Sequence, residues 1–240
     1  MSLHPPLSLH HVGGELERFA RARNWKRYVA DVLAPFIGGR VLEVGAGIGT
    51  NIPYLAGKSV QEWTSLEPDP IMARRLAADV AAGELPASRV IQGTIVDVEA
   101  GARFDTILYI NVLEYVAADK AELARAAEHL APGGALVVLC PAHQFLFSPF
   151  DTAIRRRRRY DAASLAALAP PRCALAATLM VDSVGYVAAL ANRTLRASAA
   201  PTARRIAFWD RVLVTLSRLV DRLTLHRFGK TVVAVWRRLP

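Results

Sequence analysis

Val41-Leu42-Glu43-Val44-Gly45-Ala46-Gly47-Ile48-Gly49-Thr50-Asn51 is the stretch of this 240-residue sequence that decides the fold. An apolar run that contains one acid is followed by three glycines at alternate positions. Glycine allows a tight turn and lets the backbone approach a ligand closely, and the N–H groups at a helix start can face that ligand. The stretch therefore predicts a strand, a ligand-binding turn and the beginning of a helix.

Apolar, β-branched runs and helical patterns alternate around this turn. Short connections between such elements are typical of a mostly parallel sheet with helices on both faces, and the carboxyl ends of its strands then share one ligand-binding edge. We predict an α/β fold with a seven-stranded sheet and a helical insertion before the last strand. The predicted strands are residues 40–44, 62–66, 89–92, 104–109, 135–140, 174–181 and 229–237.

The chain is long enough for one such domain. We assign residues 1–37 to an N-terminal helical extension and residues 38–240 to the domain, with a cofactor half at 40–141 and a substrate side with the helical insertion at 142–228. No apolar run approaches the roughly 18 residues that a transmembrane helix needs, and the N-terminus lacks the pattern of a signal peptide. We therefore expect a cytoplasmic protein, with association to a membrane as an alternative. The two cysteines lack CxxC spacing, so no metal site is predicted.

Charge is distributed unevenly along the chain. Residues 1–150 hold 13 Lys and Arg against 16 Asp and Glu, whereas residues 151–240 hold 17 against 5. A strongly basic C-terminal third indicates an anionic neighbour, which could be a phosphorylated substrate, a membrane surface or nucleic acid. The alternative is that the charge serves solubility alone.

The glycine-rich turn is compatible with two classes of cofactor. Dinucleotide-binding turns require G-x-G-x-x-G/A, but here the third small position is Thr50. Glu43 lies two residues before the first glycine, where its carboxylate would repel a pyrophosphate and attract a cation. S-adenosylmethionine carries a sulfonium and an ammonium and no phosphate, so the electrostatics favour this cofactor over NAD.

The E-x-G-x-G-x-G pattern after a strand resembles motif I of the class I S-adenosylmethionine-dependent methyltransferases, whose fold is Rossmann-like. Segments at 67–70, 92–97, 104–116 and 130–136 resemble later motifs of that family in the correct order. The resemblance implies that Glu43 lies near the amino-acid end of the cofactor, that Glu67 accepts both ribose hydroxyls, and that Ile95 forms an apolar lid over adenine. The implied cofactor contacts are Glu43, Gly45, Ala46, Gly47, Asn51, Glu67, Pro68, Gly93, Thr94, Ile95, Asn111 and Val112.

The segments that follow the fourth and fifth strands contain three candidates for the catalytic step. Asn111 and Tyr115 follow the strand that ends beside the methyl group in this family. Tyr115 occupies a position where related sequences often carry histidine, and its ordinary pKa of about 10 makes it a poor general base. His143 follows the fifth strand and is the best-placed general base on chemical grounds, although a structural histidine at the rim is the alternative.

The segment at 146–160 resembles a "YSPFD…GHYRRY" pattern found in lipid- and glycan-associated methyltransferases, where it covers the mouth of the active site. Asp151, Arg158, Arg159 and Tyr160 match this pattern, and arginines replace its Gly-His-Tyr. We assign Arg158 and Tyr160 to substrate binding, because guanidinium groups can clamp a phosphate or a carboxylate. The alternative is a solvated basic face that is partnered by Asp151 and Asp161.

Residues 208–223 form an amphipathic helical pattern. Its apolar face could cap the pocket, form a homodimer interface or lie on an anionic membrane. The residues predicted on this face are Phe208, Trp209, Val212, Leu213, Leu216, Leu219, Val220 and Leu223.

Together these features predict an enzyme that transfers a methyl group from S-adenosylmethionine, leaving S-adenosylhomocysteine, to O or N of a small and anionic molecule such as a glycan- or lipid-linked intermediate. A nucleic-acid methyltransferase is an alternative. It is disfavoured because the fourth strand is not followed by Asn/Asp-Pro-Pro-aromatic, with which many such enzymes hold a flipped base, and because no aromatic residues interleave the arginine run. A non-catalytic module that binds the cofactor is a further alternative.

Overall fold

The computed structural model describes Phe19, residues 21–194 and residues 202–240. The beginning of the predicted N-terminal helical region and residues 195–201 of the predicted helical insertion lie outside these residues. The described helices are α1 (Arg23–Leu33), α2 (Ile52–Leu55), α3 (Pro70–Ala81), α4 (Asp119–Glu128), α5 (Pro149–Ala153), α6 (Ala162–Ala166), α7 (Ser183–Thr194), α8 (Ala203–Phe208) and α9 (Val214–Leu223), and a π-helical turn (Trp209–Leu213) joins α8 to α9. The strands are β1 (Gly39–Val44), β2 (Val60–Glu67), β3 (Arg89–Gln92), β4 (Phe104–Ile110), β5 (Leu130–Pro141), β6 (Cys173–Val181) and β7 (Thr231–Arg238).

The strands form one seven-stranded sheet in the order β3-β2-β1-β4-β5-β7-β6. The first five strands pair in parallel, and β7 runs antiparallel between β5 and β6. The helical insertion lies between β6 and β7. The predicted Rossmann-like fold, with a mostly parallel sheet and an insertion before the last strand, is therefore confirmed.

Alternate residues of the central strand β5 pack into two hydrophobic cores, one on each face of the sheet. Leu136 and Val138 join the core that contains Leu123 of α4, whereas Val137 and Leu139 join the core on the other face. Helices α1 and α3 contribute Val29, Leu33 and Leu76 to this second core. The two-residue period of a strand thus places helices on both faces, as predicted.

Strand β5 begins earlier than the predicted start at residue 135. Leu130 already pairs with Phe104, and the register then shifts so that Ala135 pairs with Thr106. Gly133, which has a positive φ of 74°, lies within this irregularity. The Pro-Gly-Gly sequence therefore forms a bulge inside a longer strand, a position that glycine tolerates.

The start of helix α1 is capped from a distance. Its own N-cap residue, Ala22, provides no side-chain hydrogen bond. Instead, the N–H groups of Asn24 and Trp25 donate to the two carboxylate oxygens of Asp210, at 3.3 and 2.8 Å. Asp210 is buried in the π-helical turn of the insertion, so the insertion supplies the acceptors that a local cap would otherwise give.

Replacing Asp210 with alanine should lower the free energy of unfolding by about 1–2 kcal/mol, the usual cost of losing a helix cap. Urea denaturation measures this change. Asp31→Ala is the matched control, because Asp31 lies on the same helix in an exposed ion pair with Arg218, and such pairs contribute less than about 1 kcal/mol. Equal losses in the two variants would contradict a capping role for Asp210.

Candidate functional site

The glycine-rich turn lies directly after β1, against the loop that follows β4. Gly45 has a φ of 70°, and a Cβ atom there would lie 2.6 Å from Cγ2 of Val112. This position therefore requires glycine both for its backbone conformation and for the close approach. The two loops are held together at the carboxyl edge of the sheet, where the sequence predicted a ligand site.

Glu67 ends β2 beside this turn and is 5% exposed. Its Oε2 accepts a hydrogen bond from the N–H of Gly47 at 2.7 Å, and its Oε1 accepts one from the N–H of Asp69 at 2.9 Å. Burial raises the pKa of Glu67, and the two backbone N–H groups counteract that effect. Each carboxylate oxygen retains further lone pairs, so the group can still accept hydrogen bonds from two hydroxyls.

A carboxylate and an ammonium flank Asn51 at the start of α2. The Nδ2 of Asn51 donates to Oε1 of Glu43 at 2.8 Å, while Nζ of Lys26 donates to Oδ1 of Asn51 at 2.9 Å and to Oγ1 of Thr50 at 2.8 Å. Oε2 of Glu43 is buried and makes no hydrogen bond of normal geometry within the described residues, although the nearby indole N–H of Trp63 acts to lower the pKa of the carboxyl. The remaining lone pairs of this oxygen can accept from a cationic ligand.

Burial changes the pKa of both charged groups at this end of the site. It raises the pKa of Glu43 to about 7, against the opposing effects of Asn51 and Lys26. It lowers the pKa of Lys26 to about 8, and Glu43 partly offsets this. Both groups therefore titrate near neutral pH.

A cleft runs from the glycine turn to helix α1. Sequence reasoning identified Gly45, Ala46, Gly47, Asn51 and Asn111, which contribute to its lining. It missed Phe19, Trp25, Lys26, Val29, Ile48, Thr50, Tyr54, Leu55 and Ile110, which line the same cleft.

Lys26 is the most important of the missed residues, because it brings a positive charge into the cleft. In the sequence it is one of several cations between residues 18 and 27, and nothing in the pattern distinguishes it from its arginine neighbours. The orientation of α1 follows from its tertiary contacts, which include the Asp210 cap, the Tyr28–Asp221 hydrogen bond and the packing of Val29 and Leu33 in the core.

The predicted adenine side is formed by the loop after β3. Gly93 donates its N–H to the carbonyl of Glu67 at 3.0 Å, and the exposed Thr94 forms reciprocal hydrogen bonds with Asp97. Ile95 is fully buried in the core, so the expectation that it forms the lid is corrected. The exposed aliphatic side chain of this turn is Val96.

The three catalytic candidates lie along the edge formed by β4 and β5. Asn111, with a φ of 55°, lines the cleft, but neither Tyr115 nor His143 is among the described residues that line it. The Tyr115 ring lies 5.8 Å from the guanidinium carbon of Arg156. Of the three candidates, Asn111 is therefore the one that the structure places in the cleft lining.

His143 lies in a small aromatic cluster. Its ring centroid is 4.6 Å from that of Tyr186 and 5.2 Å from that of Phe145. Its Nε2 is 2.9 Å from the carbonyl oxygen of Gly229. Since a carbonyl can only accept, Nε2 carries the hydrogen in this arrangement, and Nδ1 is the nitrogen that can accept a proton.

The arginine run is held by internal acids. Arg156 and Arg159 both bond to Asp151, which is fully buried. Arg158 pairs with Asp119 at 2.6 Å, and the hydroxyl of the buried Tyr160 donates to the same carboxylate at 2.8 Å.

The assignment of Arg158 and Tyr160 to substrate binding is therefore corrected, because both use their polar groups on Asp119. Asp161 is not an arginine partner either, since it caps α6 by accepting from the N–H of Ser164. Of the two acids that the alternative interpretation named, the structure pairs Asp151 with the run. The run orders this segment of the chain, while Arg155 and Arg157 remain exposed.

Replacing Asp151 with alanine should destabilise the fold by about 3 kcal/mol at pH 7, because two largely buried guanidinium groups lose their carboxylate. Burial acts to raise the pKa of Asp151, but Arg159 and Arg156 outweigh it and the pKa is lowered. This stabilisation is present above the ordinary aspartate pKa of about 3.9 and is lost as the pH falls through the lower folded-state pKa.

Urea denaturation at pH 7 and at lower pH measures both effects. Asp161→Ala removes an exposed cap and serves as the matched control, with an expected loss of about 1 kcal/mol. If Asp151→Ala were no more destabilising than this control, the arginines would not depend on Asp151, and the anion clamp would be the better interpretation.

A comparison with protein-family models matches residues 16–174 of this chain to a methyltransferase domain. No curated protein matches the sequence.

Solved structures with the same fold span nearly the whole chain. The Haloferax volcanii protein that was solved in complex with the methyltransferase activator Trm112 is 15% identical, with a TM-score of 0.66 and coverage of 100% of both chains. A Galdieria sulphuraria protein described as a candidate sarcosine dimethylglycine methyltransferase is 17% identical, with a TM-score of 0.60 and coverage of 90% of this chain and 86% of that one. The N-methyltransferase NodS from Bradyrhizobium japonicum, solved with S-adenosyl-L-homocysteine, is 13% identical, with a TM-score of 0.52 and coverage of 91% and 86%. At these identities the likeness establishes the fold alone.

Proposed function

Because this chain belongs to the class I family of S-adenosylmethionine-dependent methyltransferases, we propose that it methylates O or N of a small molecule, such as a glycan- or lipid-linked intermediate with anionic groups. The observation that carries the cofactor half of this proposal is the pairing of Glu43 and Lys26 across Asn51. A methionine moiety presents one ammonium and one carboxylate. The site presents the complementary pair, and the lone pairs that remain on Oε2 of Glu43 are proposed to accept from the ammonium.

The remaining contacts follow from the positions of the site residues. Glu67 is proposed to accept the ribose hydroxyls, while Gly45 and Gly47 allow the backbone to pass beneath the ligand. Pro68 and Thr94 are exposed near Glu67 and are proposed to border adenine together with Gly93 and Val96.

When bound, the cofactor supplies a methyl group that an acceptor atom displaces in line from sulfur. The protein's contribution is to align the acceptor, which can account for much of the acceleration. We assign this alignment to Asn111, which follows β4 and lines the cleft, and to the aromatic cluster around His143, which follows β5. A hydroxyl acceptor also loses a proton, and Nδ1 of His143 is proposed to receive it.

The alternatives differ in the ligand that they require. A nucleic-acid substrate would need the exposed cations of the C-terminal third, but four arginines of the 155–159 run make hydrogen bonds within the chain. The anionic groups of a small substrate are instead assigned to the exposed Arg155. A non-catalytic module would bind the cofactor and transfer nothing.

Calorimetric titration with S-adenosylmethionine, S-adenosylhomocysteine and NAD is the first test. The two adenosyl ligands should bind and NAD should not. Glu67→Ala should weaken binding by about a hundredfold, since two hydrogen bonds to a charged group are lost. Glu62→Ala, on the exposed part of the same strand, is the matched control. Binding of NAD alone would refute the proposal in favour of a dehydrogenase.

Cofactor affinity should depend on pH in a bell shape with its maximum between about 7 and 8. Below about 7 Glu43 becomes protonated, and the affinity should fall by up to about tenfold per pH unit. Above about 8 Lys26 loses its charge, and the affinity should fall again.

Glu43→Gln should flatten the acid limb, and Lys26→Gln should flatten the alkaline limb. The α-amino group of the ligand also titrates near 8, so the alkaline limb is assigned from the difference between wild type and Lys26→Gln. A pH profile that is the same in all three proteins would contradict the assigned pairing.

His143→Asn distinguishes an oxygen acceptor from a nitrogen acceptor. Asparagine tolerates the positive φ of 65° at this position. Methyl transfer to a hydroxyl should slow by about 10²-fold or more through loss of the base, while transfer to an already neutral amine and the cofactor Kd should stay near wild type. A turnover assay with alcohol and amine acceptors checks this, and unchanged transfer to a hydroxyl would remove His143 from the mechanism.

A further inference from the structure

The helical segment 203–223 exposes an apolar face to solvent and buries polar residues against the rest of the fold. Its buried side includes two acids and a serine, whereas one face of its outer side carries large apolar residues. The buried residues are Ile206, Asp210, Val214, Ser217 and Asp221. The outer residues follow one another at intervals of three or four, which places them on one face, and they are between 40% and 75% exposed: Phe208, Val212, Leu216, Leu219 and Leu223.

The buried acids fix this orientation. Asp221 accepts hydrogen bonds from the hydroxyl of Tyr28 and from the N–H groups of Asp182 and Ser183. Asp210 caps α1, as described above. Turning the segment to bury its apolar face would expose these carboxylates and leave their donors unpaired, which is costly for buried polar groups. The apolar face is therefore held outward.

This orientation excludes one of the three roles predicted for the apolar face, that of capping the pocket. None of the five outer residues is among the described residues that line the cofactor cleft, so the face does not cap that pocket. A contiguous exposed apolar face of this kind marks an interaction site rather than ordinary surface.

The charges around the face are of one sign. Arg204, Arg205, Arg211, Arg222 and Arg227 are exposed on or next to the segment. Residues 183–228 contain only two acids, and both, Asp210 and Asp221, are buried. An exposed acid of the neighbouring α1, Asp31, is paired with Arg218.

A second copy of the chain is a poor partner for such a face. In a two-fold dimer the same patch meets itself, so arginine would face arginine with no exposed acid of the segment to compensate. An anionic lipid surface offers apolar chains below and negative headgroups around them, which matches both features at once.

We propose that the outer face of residues 203–223 docks on an anionic membrane, with the segment lying in the interface plane. The apolar side chains enter the headgroup boundary and the exposed arginines contact the lipid headgroups. Among the described residues, no helix is long and apolar enough to cross a membrane. The proposal does not depend on the identity of the methyl acceptor or on turnover.

Flotation of the purified chain with vesicles tests this proposal directly. Vesicles of phosphatidylcholine alone and of phosphatidylcholine with phosphatidylglycerol are compared at low and at high salt. We expect binding only to the anionic vesicles, and weakening at high salt as screening increases. The double variant Leu219→Ser and Leu223→Ser should bind at least about tenfold more weakly, as should Arg211→Gln with Arg222→Gln.

Matched controls change the same residue types elsewhere on the surface. Leu239→Ser and Arg74→Gln alter an exposed leucine and an exposed arginine outside the segment, and both should bind like wild type. Circular dichroism and thermal unfolding establish that each variant is folded.

Three results would overturn the proposal. The first is no binding of the wild-type chain to anionic vesicles at low salt. The second is undiminished binding of the folded leucine variant, which would place the lipid contact elsewhere. The third is a concentration-dependent dimer in analytical ultracentrifugation that the leucine variant abolishes while vesicle binding is absent, which would assign the face to self-association.

Discussion

Buried carboxylates join the helical insertion to α1. This junction affects two features of the molecule, the position of Lys26 in the cleft and the outward direction of the insertion's apolar face. Asp210 accepts from the first N–H groups of α1, and Asp221 accepts from Tyr28 one turn further along. Because Lys26 lies between these two attachments, the junction places its ammonium in the cofactor cleft. The same bonds turn the apolar side of the insertion outward. The position of a cation in the cleft and the direction of an exposed apolar face thus both depend on this junction.

The junction combines polar pairing with apolar packing, since Tyr28, Val181 and Val214 form a small hydrophobic core beside the carboxylates. Buried carboxylates are stable only where several donors satisfy them, and here Trp209, Ser217 and Lys230 surround Asp182 in the same region. Losing one donor or acceptor leaves its partner without compensation, so each bond constrains the geometry of the others. These bonds keep the polar side of the segment inward although its outer face is apolar.

The sequence contained the sheet and the cofactor turn, because both depend on local patterns. The strand period, the glycines at 45 and 47 and the acid at 67 are readable within a few residues. The position of the Lys26 side chain in the cleft could not be predicted from local sequence, since the orientation of its helix depends on distant residues such as Asp210, 184 positions later. Arg158 and Tyr160 matched a substrate pattern, but Asp119, at the start of α4, pairs with both. The periodicity of residues 208–223 predicts that the helix has an apolar face. Whether that face points to the core or to solvent depends on the partners of Asp210 and Asp221, which the sequence does not show.

Thr50 connects the cofactor preference to this architecture. In a dinucleotide-binding turn the third small residue allows the helix to pack closely and leaves its N-terminus open to a pyrophosphate. Here the Thr50 hydroxyl accepts from Lys26, and Asn51 links Lys26 to Glu43. The helix start is thus covered by an ammonium on one side and a carboxylate on the other, a pattern that opposes a diphosphate and suits a zwitterion. Thr50, which departs from the dinucleotide pattern, is therefore the residue whose hydroxyl contacts the ammonium of Lys26.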